Sequence, residues 1–134
     1  MIYFLDTNIC IHYLNDTSFS VTRKIDSTDL ESIKIPTIVA AELYYGASKS
    51  KKRDYNLARY AQFVASFGVA TFDHISSRIY GGIRAALEAK GSIIGGNDLM
   101  IAAAALAYGA ILVTDNVKEF SRVDSLIIEN WTQG

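Results

Sequence analysis

MIYFLDTN, residues 1–8, is an apolar run that stops at an acid. Its residues 2–5 lack any alternation of polar and apolar side chains, which is typical of a parallel strand buried on both faces. Asp6 therefore lies where this strand is predicted to end. Ligands of open α/β sheets bind outside the carboxyl ends of the strands, so we expect the Asp6 carboxylate to face a binding site rather than the core.

The same pattern returns near the other end of the chain. Residues 110–114, AILVT, form a second apolar run that is followed at once by Asp115 and Asn116. The carboxyl ends of parallel strands meet at one edge of a sheet. Asp6 and Asp115 are therefore predicted to lie near each other at that edge.

Apolar runs and helical periodicity alternate through the whole chain. This alternation predicts an α/β fold, with helices around a central parallel sheet of four to five strands, and a single domain over residues 1–134. The predicted strands are 2–5, 33–35, 68–72, 110–114 and 126–128, and the predicted helices are 9–14, 19–28, 38–47, 55–67, 74–90 and the segment that follows Asn97. We expect residues 117–120 to form a polar loop.

With 134 residues, half of them hydrophobic, the chain can bury a core without a structural metal or a disulfide. Cys10 is the only cysteine, which excludes a disulfide framework and a cysteine metal cluster and favours a cytoplasmic location. The first apolar run is too short for a secretory signal, and no stretch has the roughly 20 apolar residues of a membrane span. We therefore expect no membrane partner.

Glu42 interrupts an apolar face of a predicted helix. It shares that face with Ile38, Ala41 and Tyr45, which are spaced three and four residues apart and are predicted to pack. A carboxylate on such a face requires a cation, a hydrogen-bond network or a position at the edge of the core. We predict that Glu42 binds a metal ion, and a boundary position without a ligand is the alternative.

Asp98 lies in the first turn of a predicted helix that is apolar on nearly every side. The preceding loop 91–96, GSIIGG, has little bulk and allows a substrate to approach closely. The helix dipole favours an acid at this position by about 0.3–1 kcal/mol, which is a purely structural explanation. Because Asn97 is predicted to cap the helix already, we favour a functional role for Asp98.

Four acids are thus predicted at one edge of the sheet: Asp6, Glu42, Asp98 and Asp115. Carboxylates that lie close together repel one another unless cations neutralise them. Oxygen ligands without cysteine or clustered histidine select hard ions, so Mg²⁺ is the expected cofactor, with Mn²⁺ as a substitute. Such an ion can orient a phosphodiester and activate water. The predicted reaction is metal-assisted phosphodiester hydrolysis.

The net charge of −1 does not by itself indicate nucleic-acid binding. Basic residues are instead concentrated between two predicted helices and beside the last long strand. These candidates for contact with nucleic-acid phosphates are Lys49, Lys51, Lys52, Arg53, Lys118 and Arg122. A solvated helix end is the alternative explanation for the cluster at 49–53.

Four motifs, in order along the chain, resemble the VapC family of PIN-domain toxins. They are LDTN at 5–8, AELYYG at 41–46, GGNDLMIAA at 95–103 and LVTDNVKEF at 112–120, with ENW at 129–131. The resemblance covers essentially the whole chain and implies a three-layer α/β/α PIN fold. It also implies a Mg²⁺-dependent endoribonuclease of a type II toxin–antitoxin system, acting on structured RNA such as the anticodon loop of initiator tRNA.

The resemblance further implies two protein partners. One is a VapB-like antitoxin whose C-terminal segment would occupy the acidic groove. The other is a second copy of the chain, with which it would form a homodimer. Apolar and aromatic helix residues around Tyr44, Tyr45 and Tyr60 are the candidates for the dimer face.

Matching of the motifs gives Asp6 and Asp98 the role of the family's central metal-binding aspartates and Glu42 that of its glutamate. The fourth acid of the family has more than one candidate in this chain.

PIN domains often carry the fourth acid two residues after the threonine of the last strand, where this chain has Asn116. Asp115, Asn116 and Glu119 are therefore all candidates. Thr114 is expected to orient a ligand or a water molecule through its hydroxyl.

Three other functions fit parts of the pattern. A phosphoacceptor receiver domain also has acids at strand ends, but it requires a second acid beside the first, where this chain has Thr7 and Asn8, and a lysine where it has Asp115. A PIN-like scaffold that binds RNA or protein without cleavage is disfavoured by the retained acids. A DNA-directed nuclease is disfavoured by the length of the chain, which leaves no room for helical clamps around a duplex.

Overall fold

Five parallel strands form the centre of the computed structural model, which describes residues 1–133. They are β1 (Tyr3–Leu5), β2 (Ile33–Pro36), β3 (Val69–Ala70), β4 (Ile111–Val113) and β5 (Ile128–Glu129). Their order across the sheet is β3-β2-β1-β4-β5, and every neighbouring pair is parallel. The predicted parallel sheet is confirmed. The two strands at its edges, β3 and β5, are only two residues long, and β5 begins two residues later than predicted.

Helices connect the strands. They are α1 (Thr7–Asn15), α2 (Phe19–Asp26), α3 (Thr37–Ser48), α4 (Arg53–Phe67), α5 (His74–Lys90), α6 (Gly96–Tyr108) and α7 (Val117–Phe120), and a 3-10 helix spans Leu30–Ser32. The prediction of a loop at 117–120 is wrong. A single helical turn is too short to produce a periodic pattern in the sequence, and here it closes through the bond from the Ser121 amide to the Val117 carbonyl (2.9 Å). No helix within residues 1–133 is long and apolar enough to cross a membrane.

The strand order reverses at β1. From β1 the chain moves outward to β2 and β3, then returns across the sheet to β4 on the other side of β1. Right-handed crossovers in opposite directions put their helices on opposite faces of the sheet. The point where the order reverses is the crevice in which open α/β sheets bind ligands. Here that crevice lies at the carboxyl ends of β1 and β4.

The register of β1 and β4 brings their last residues side by side. Phe4 pairs with Leu112 and Leu5 with Val113, and all four side chains are fully buried. The Asp6 amide then donates to the Val113 carbonyl (2.9 Å), which continues the ladder by one residue. The acid that ends β1 is therefore held at the level of the residues that follow β4.

Helix α6 is buried on nearly every side, as predicted. Residues 101–105 are all buried, and four of them are alanines whose small side chains allow close packing. The helix packs most extensively against α5 and also contacts α3 at the edge of the sheet. Its N-terminal turn, which carries Asp98, is thereby brought beside α3.

The face of α3 that contains Glu42 is not the core face, which corrects the sequence-based prediction. The buried residues of α3 are Val39, Ala40, Leu43 and Ala47. Ala41 and Tyr45, which were predicted to pack, are exposed, and the neighbouring face forms one wall of an open groove. This helix is apolar nearly all round, so periodicity alone did not identify the buried side.

Two of the tyrosines proposed for a dimer face are also less exposed than expected. Tyr60 is buried within the chain and Tyr44 is half-buried, whereas Tyr45 is 66% exposed. A side chain that already packs inside one copy has little surface left for a second. Tyr60 is therefore removed from the candidates for that interface.

Substitutions on the two faces of α3 should differ in their effect on stability. Leu43→Ala leaves a cavity in the core and is expected to lower the free energy of unfolding by about 2–5 kcal/mol. Ala41→Gln, on the exposed face of the same helix, should change it by no more than about 0.5 kcal/mol. Urea unfolding followed by circular dichroism measures both. Equal losses in the two variants would contradict this assignment of the buried face.

Candidate active site

Asp6 caps the N-terminus of α1 at the centre of the crevice. Its Oδ1 accepts a hydrogen bond from the Thr7 amide (2.8 Å) and its Oδ2 accepts one from the Thr114 hydroxyl (2.7 Å). The helix begins two residues earlier than predicted, so Thr7 and Asn8 lie inside it. Asp6 is only 7% exposed, and burial raises the pKa of its carboxyl despite these two bonds. The negative charges of Glu42 and Asp115 raise this pKa further.

Glu42 faces Asp6 across the crevice, and both of its carboxylate oxygens are engaged. The Thr7 hydroxyl donates to Oε1 (2.5 Å), and the Asn97 side-chain amide donates to Oε2 (3.3 Å). Both donors are neutral, so they orient the carboxylate without neutralising its charge. A hydrogen-bond network, one of the three environments that the sequence allowed for Glu42, is therefore present, and its donors come from α1 and α6.

Asp98 lies half-buried in the first turn of α6. Burial and the negative charges of Asp6, Glu42 and Glu119 raise the pKa of its carboxyl to about 6. Asn97 does not cap this helix, contrary to the prediction. Gly95, which has no side chain to bond with, occupies the cap position, and Asn97 lies in the first turn with its side-chain amide directed to Glu42.

Two further acids follow β4. Glu119, on α7, accepts a hydrogen bond at Oε2 from the side-chain amide of Asn116 (2.8 Å). The backbone N–H of Asn116 donates to the Thr114 hydroxyl (3.0 Å). The negative charge of Glu119 raises the pKa of Asp98. Asp115 is exposed, and its charge raises the pKa of Asp6. The structure thus brings Glu119 into the group of acids through the helical turn that the sequence did not predict.

These acids have no cationic side chain beside them. Within residues 1–133 the ion pairs closer than 4.0 Å are Arg84–Glu88 and Lys90–Asp124, both on the surface. A buried carboxylate surrounded by other carboxylates is costly without a counter-charge. The donor set consists only of oxygen atoms, which suits a hard divalent cation. In the described part of the chain, however, no group of three or more His, Cys, Asp or Glu side chains is close enough to hold a metal ion as it stands.

An open groove with a volume of about 570 Å³ passes Glu42 along α3. Its lining includes Ile38, Ala41, Tyr45 and Lys49 on the α3 side, and Asn97 on the α6 side. The Lys49 ammonium lies 4.7 Å from the centre of the Tyr45 ring. The groove therefore leads from the acids to the start of the basic cluster.

The predicted basic residues fall into three groups. Lys49, Lys51, Lys52 and Arg53 are exposed in and around the connection between α3 and α4, and Lys118 is exposed on α7. Arg122 is different, because its guanidinium donates to the Ile93 carbonyl (2.9 Å). It thereby supports the loop before α6.

The roles of Thr7 and Asn97 were missed in the sequence. Both residue types are common helix caps, so the local pattern explained them without reference to Glu42, which lies 35 residues from Thr7 and 55 from Asn97. A signal was nevertheless present. Each of the two residues is the direct sequence neighbour of an aspartate at the site.

Comparison with known proteins connects this geometry to a family. Residues 3–126 match the PIN domain family. The chain is 45% identical to Ribonuclease VapC2 from Rickettsia felis, covering 98% of each chain, and 37% identical to the tRNA(fMet)-specific endonuclease VapC from Shigella flexneri, covering 97% of this chain and 98% of the relative.

The fold agrees with a solved structure as well. The crystal structure of VapBC2 from Rickettsia felis bound to a DNA fragment from their promoter contains a chain that is 44% identical and superimposes with a TM-score of 0.90, over 98% of this chain and 99% of that one. The resemblance seen in the motifs is confirmed: the chain belongs to the VapC family of PIN-domain ribonucleases.

Proposed function

We propose that this protein is a Mg²⁺-dependent endoribonuclease toxin of a type II toxin–antitoxin system, which hydrolyses phosphodiester bonds of structured RNA. The observation that carries this proposal is the group of Asp6, Glu42, Asp98 and Glu119 at the reversal point of the sheet, which no cationic side chain within residues 1–133 approaches to 4.0 Å. Such a group is unfavourable for stability, so a chemical role is its best explanation.

Asp6 and Asp98, together with Glu42, would hold the metal ion. Their oxygen atoms favour Mg²⁺ or Mn²⁺ over softer metals. When bound, the ion supplies charge stabilisation at the phosphate and a more acidic water molecule. The protein's own contribution is orientation. The buried hydroxyl of Thr114 donates to one oxygen of Asp6, which supports a role of Thr114 in orienting this metal ligand.

Glu119 is our preferred fourth acid. It is half-buried, it is held by Asn116, and its charge acts on Asp98. Asp115 is exposed at the rim, and Asn116 is engaged with Glu119 as a donor. These contacts support a role of Asn116 in orienting Glu119.

The proposed substrate is tRNA, with the anticodon loop of the initiator tRNA as the first target to test. The Shigella flexneri relative, 37% identical to this chain, is named a tRNA(fMet)-specific endonuclease. The exposed cluster of Lys49, Lys51, Lys52 and Arg53 is suited to the phosphates of an RNA that enters the groove past Glu42. Lys118 is a further candidate on the other side of the site.

The proposed regulator is a VapB-like antitoxin, because the similar Rickettsia felis chain was solved within VapBC2. A segment of the antitoxin in the groove would exclude RNA from the acids. We also propose a homodimer, with the exposed Tyr45 as one candidate contact.

Cleavage of a total tRNA pool by the purified protein should require both the metal and Asp98. We expect discrete fragments with Mg²⁺ and none with excess chelator. Asp98→Asn should cut at least about 100-fold more slowly, since the ion contributes several kcal/mol and each 1.4 kcal/mol is about tenfold in rate. Fragment sequencing identifies the cleaved bond.

The control for this experiment is Asp124→Asn, which removes an exposed acid of a surface ion pair whose charge does not act on Asp6 or Asp98, and it should leave the rate unchanged. RNA binding without cleavage, with metal varied and antitoxin absent, would favour the non-cleaving scaffold instead.

The two acids after β4 should differ in importance. Glu119→Gln is expected to weaken Mn²⁺ binding and slow cleavage, because it removes the charge that faces Asp98. Asp115→Asn should have the smaller effect, since its carboxylate is exposed and therefore screened by water. Isothermal titration with Mn²⁺ compares the two proteins directly. A larger loss of Mn²⁺ affinity in Asp115→Asn would instead make Asp115 the fourth acid.

Inhibition by the antitoxin should depend on the groove. The purified VapB-like protein is expected to stop cleavage at an equimolar ratio. Ala41→Gln narrows the groove and should weaken inhibition, whereas Ala61→Gln, exposed on α4 outside it, should not. Titration of cleavage against added antitoxin measures both. Equal inhibition of the two variants would show that the antitoxin acts at another surface.

A further inference from the structure

Glu42 receives a hydrogen bond from the sequence neighbour of each central aspartate. Thr7 follows Asp6 and donates to Oε1 (2.5 Å), and Asn97 precedes Asp98 and donates to Oε2 (3.3 Å). The three residues belong to α1, α3 and α6. One carboxylate therefore joins α3 to the two helices whose first turns lie beside Asp6 and Asp98.

We propose that Thr7 and Asn97 are positioning residues, which bind the two oxygens of Glu42 and thereby set the separation of Asp6 and Asp98. This inference rests on the proposed metal-dependent function. The two bonds link the neighbours of the aspartates through the single carboxylate of Glu42, which restricts how far the backbones of Asp6 and Asp98 can move apart. The effect reaches the aspartates through the chain, so neither Thr7 nor Asn97 needs to contact the metal or the RNA.

The local structure favours this role over a capping role for both residues. Asp6 caps α1 and Gly95 caps α6, so neither helix depends on the side chain of Thr7 or Asn97 for its start. The hydroxyl of Thr7 is part-buried, and the bond to Glu42 satisfies it. Asn97 is exposed, yet its amide spans from α6 to α3. An exposed asparagine fixed between two helices is better explained by orientation than by packing.

Neutral donors are suited to this task. An arginine or lysine in place of Thr7 or Asn97 would hold Glu42 more strongly, but it would also neutralise the charge that attracts a cation. A hydroxyl and an amide fix the direction of the carboxylate and leave that charge in place. Loss of the hydrogen-bond partners that orient metal ligands typically lowers metal affinity by about 10- to 100-fold.

The test is Mn²⁺ binding without RNA, measured by isothermal titration and electron paramagnetic resonance. Thr7→Val and Asn97→Ala should each bind Mn²⁺ about 10- to 100-fold more weakly than the unmodified protein. Thr7→Ser keeps the hydroxyl and should restore binding. Thr37→Val is the matched control, because Thr37 also begins a helix and lines the same groove, but its hydroxyl bonds only to backbone atoms of residues 70 and 72.

A second comparison tests whether Thr7 affects Mn²⁺ binding through Glu42. In a Glu42→Ala background Thr7→Val should cause no additional loss of Mn²⁺ affinity, since the residue acts through Glu42. With RNA present, Thr7→Val should lower kcat and leave KM unchanged. Circular dichroism confirms folding, and Asn97→Ala, at an exposed position, supplies the test if Thr7→Val does not fold.

The outcomes separate this inference from the proposed function. If the unmodified protein binds Mn²⁺ and Thr7→Val and Asn97→Ala bind it equally well, the positioning role is wrong and the metal-dependent function stands. An equal loss in Thr7→Val and Thr7→Ser would also overturn it, because the hydroxyl would then be irrelevant. If the unmodified protein binds no Mn²⁺, the metal chemistry and this inference both fail.

Discussion

The hydrogen bond from the Thr114 hydroxyl to Asp6 Oδ2 is the contact on which the site depends. It joins the ends of β1 and β4, the two strands on either side of the reversal point, and both residues are buried. Removing one partner of such a bond leaves a buried polar group unsatisfied. The pairing of Phe4 with Leu112 and Leu5 with Val113 fixes the register that makes the bond possible. The register of β1 and β4 therefore also determines the position of Asp6 and Thr114 relative to each other.

Around that bond, the acids are held by neutral groups. Hydroxyls orient Asp6 and Glu42, and side-chain amides orient Glu42 and Glu119. The pKa of Asp98 is raised to about 6 by its burial and by the neighbouring acids. Salt bridges would have stabilised the folded chain more, but they would have occupied the carboxylates. The arrangement costs stability and preserves negative charge, which is the expected compromise at a site that must attract a cation.

The acids at the strand ends could be predicted because an uninterrupted hydrophobic run indicates a buried strand, and the acid that follows the run marks its end. Asp6 and the buried helix after Asp98 follow from such runs. The exposed face of α3 could not be predicted, since its residues are apolar nearly all round and only packing selects a side. Glu119 depends on the short helix α7, and the bond from Thr7 to Glu42 spans 35 residues. Contacts between residues so far apart in the chain produce no periodic pattern in the sequence.

The concentration of acids at the site has a consequence for the rest of the molecule. The whole chain has 13 lysines and arginines against 14 aspartates and glutamates, a net charge of −1. Four of those acids, Asp6, Glu42, Asp98 and Glu119, belong to the crevice, so the remainder of the chain carries an excess of three positive charges. A nearly neutral protein is thus divided into a small anionic pole and a cationic exterior. A polyanion is therefore attracted only locally, within about a Debye length of exposed basic side chains, and is repelled where it meets the crevice without a cation.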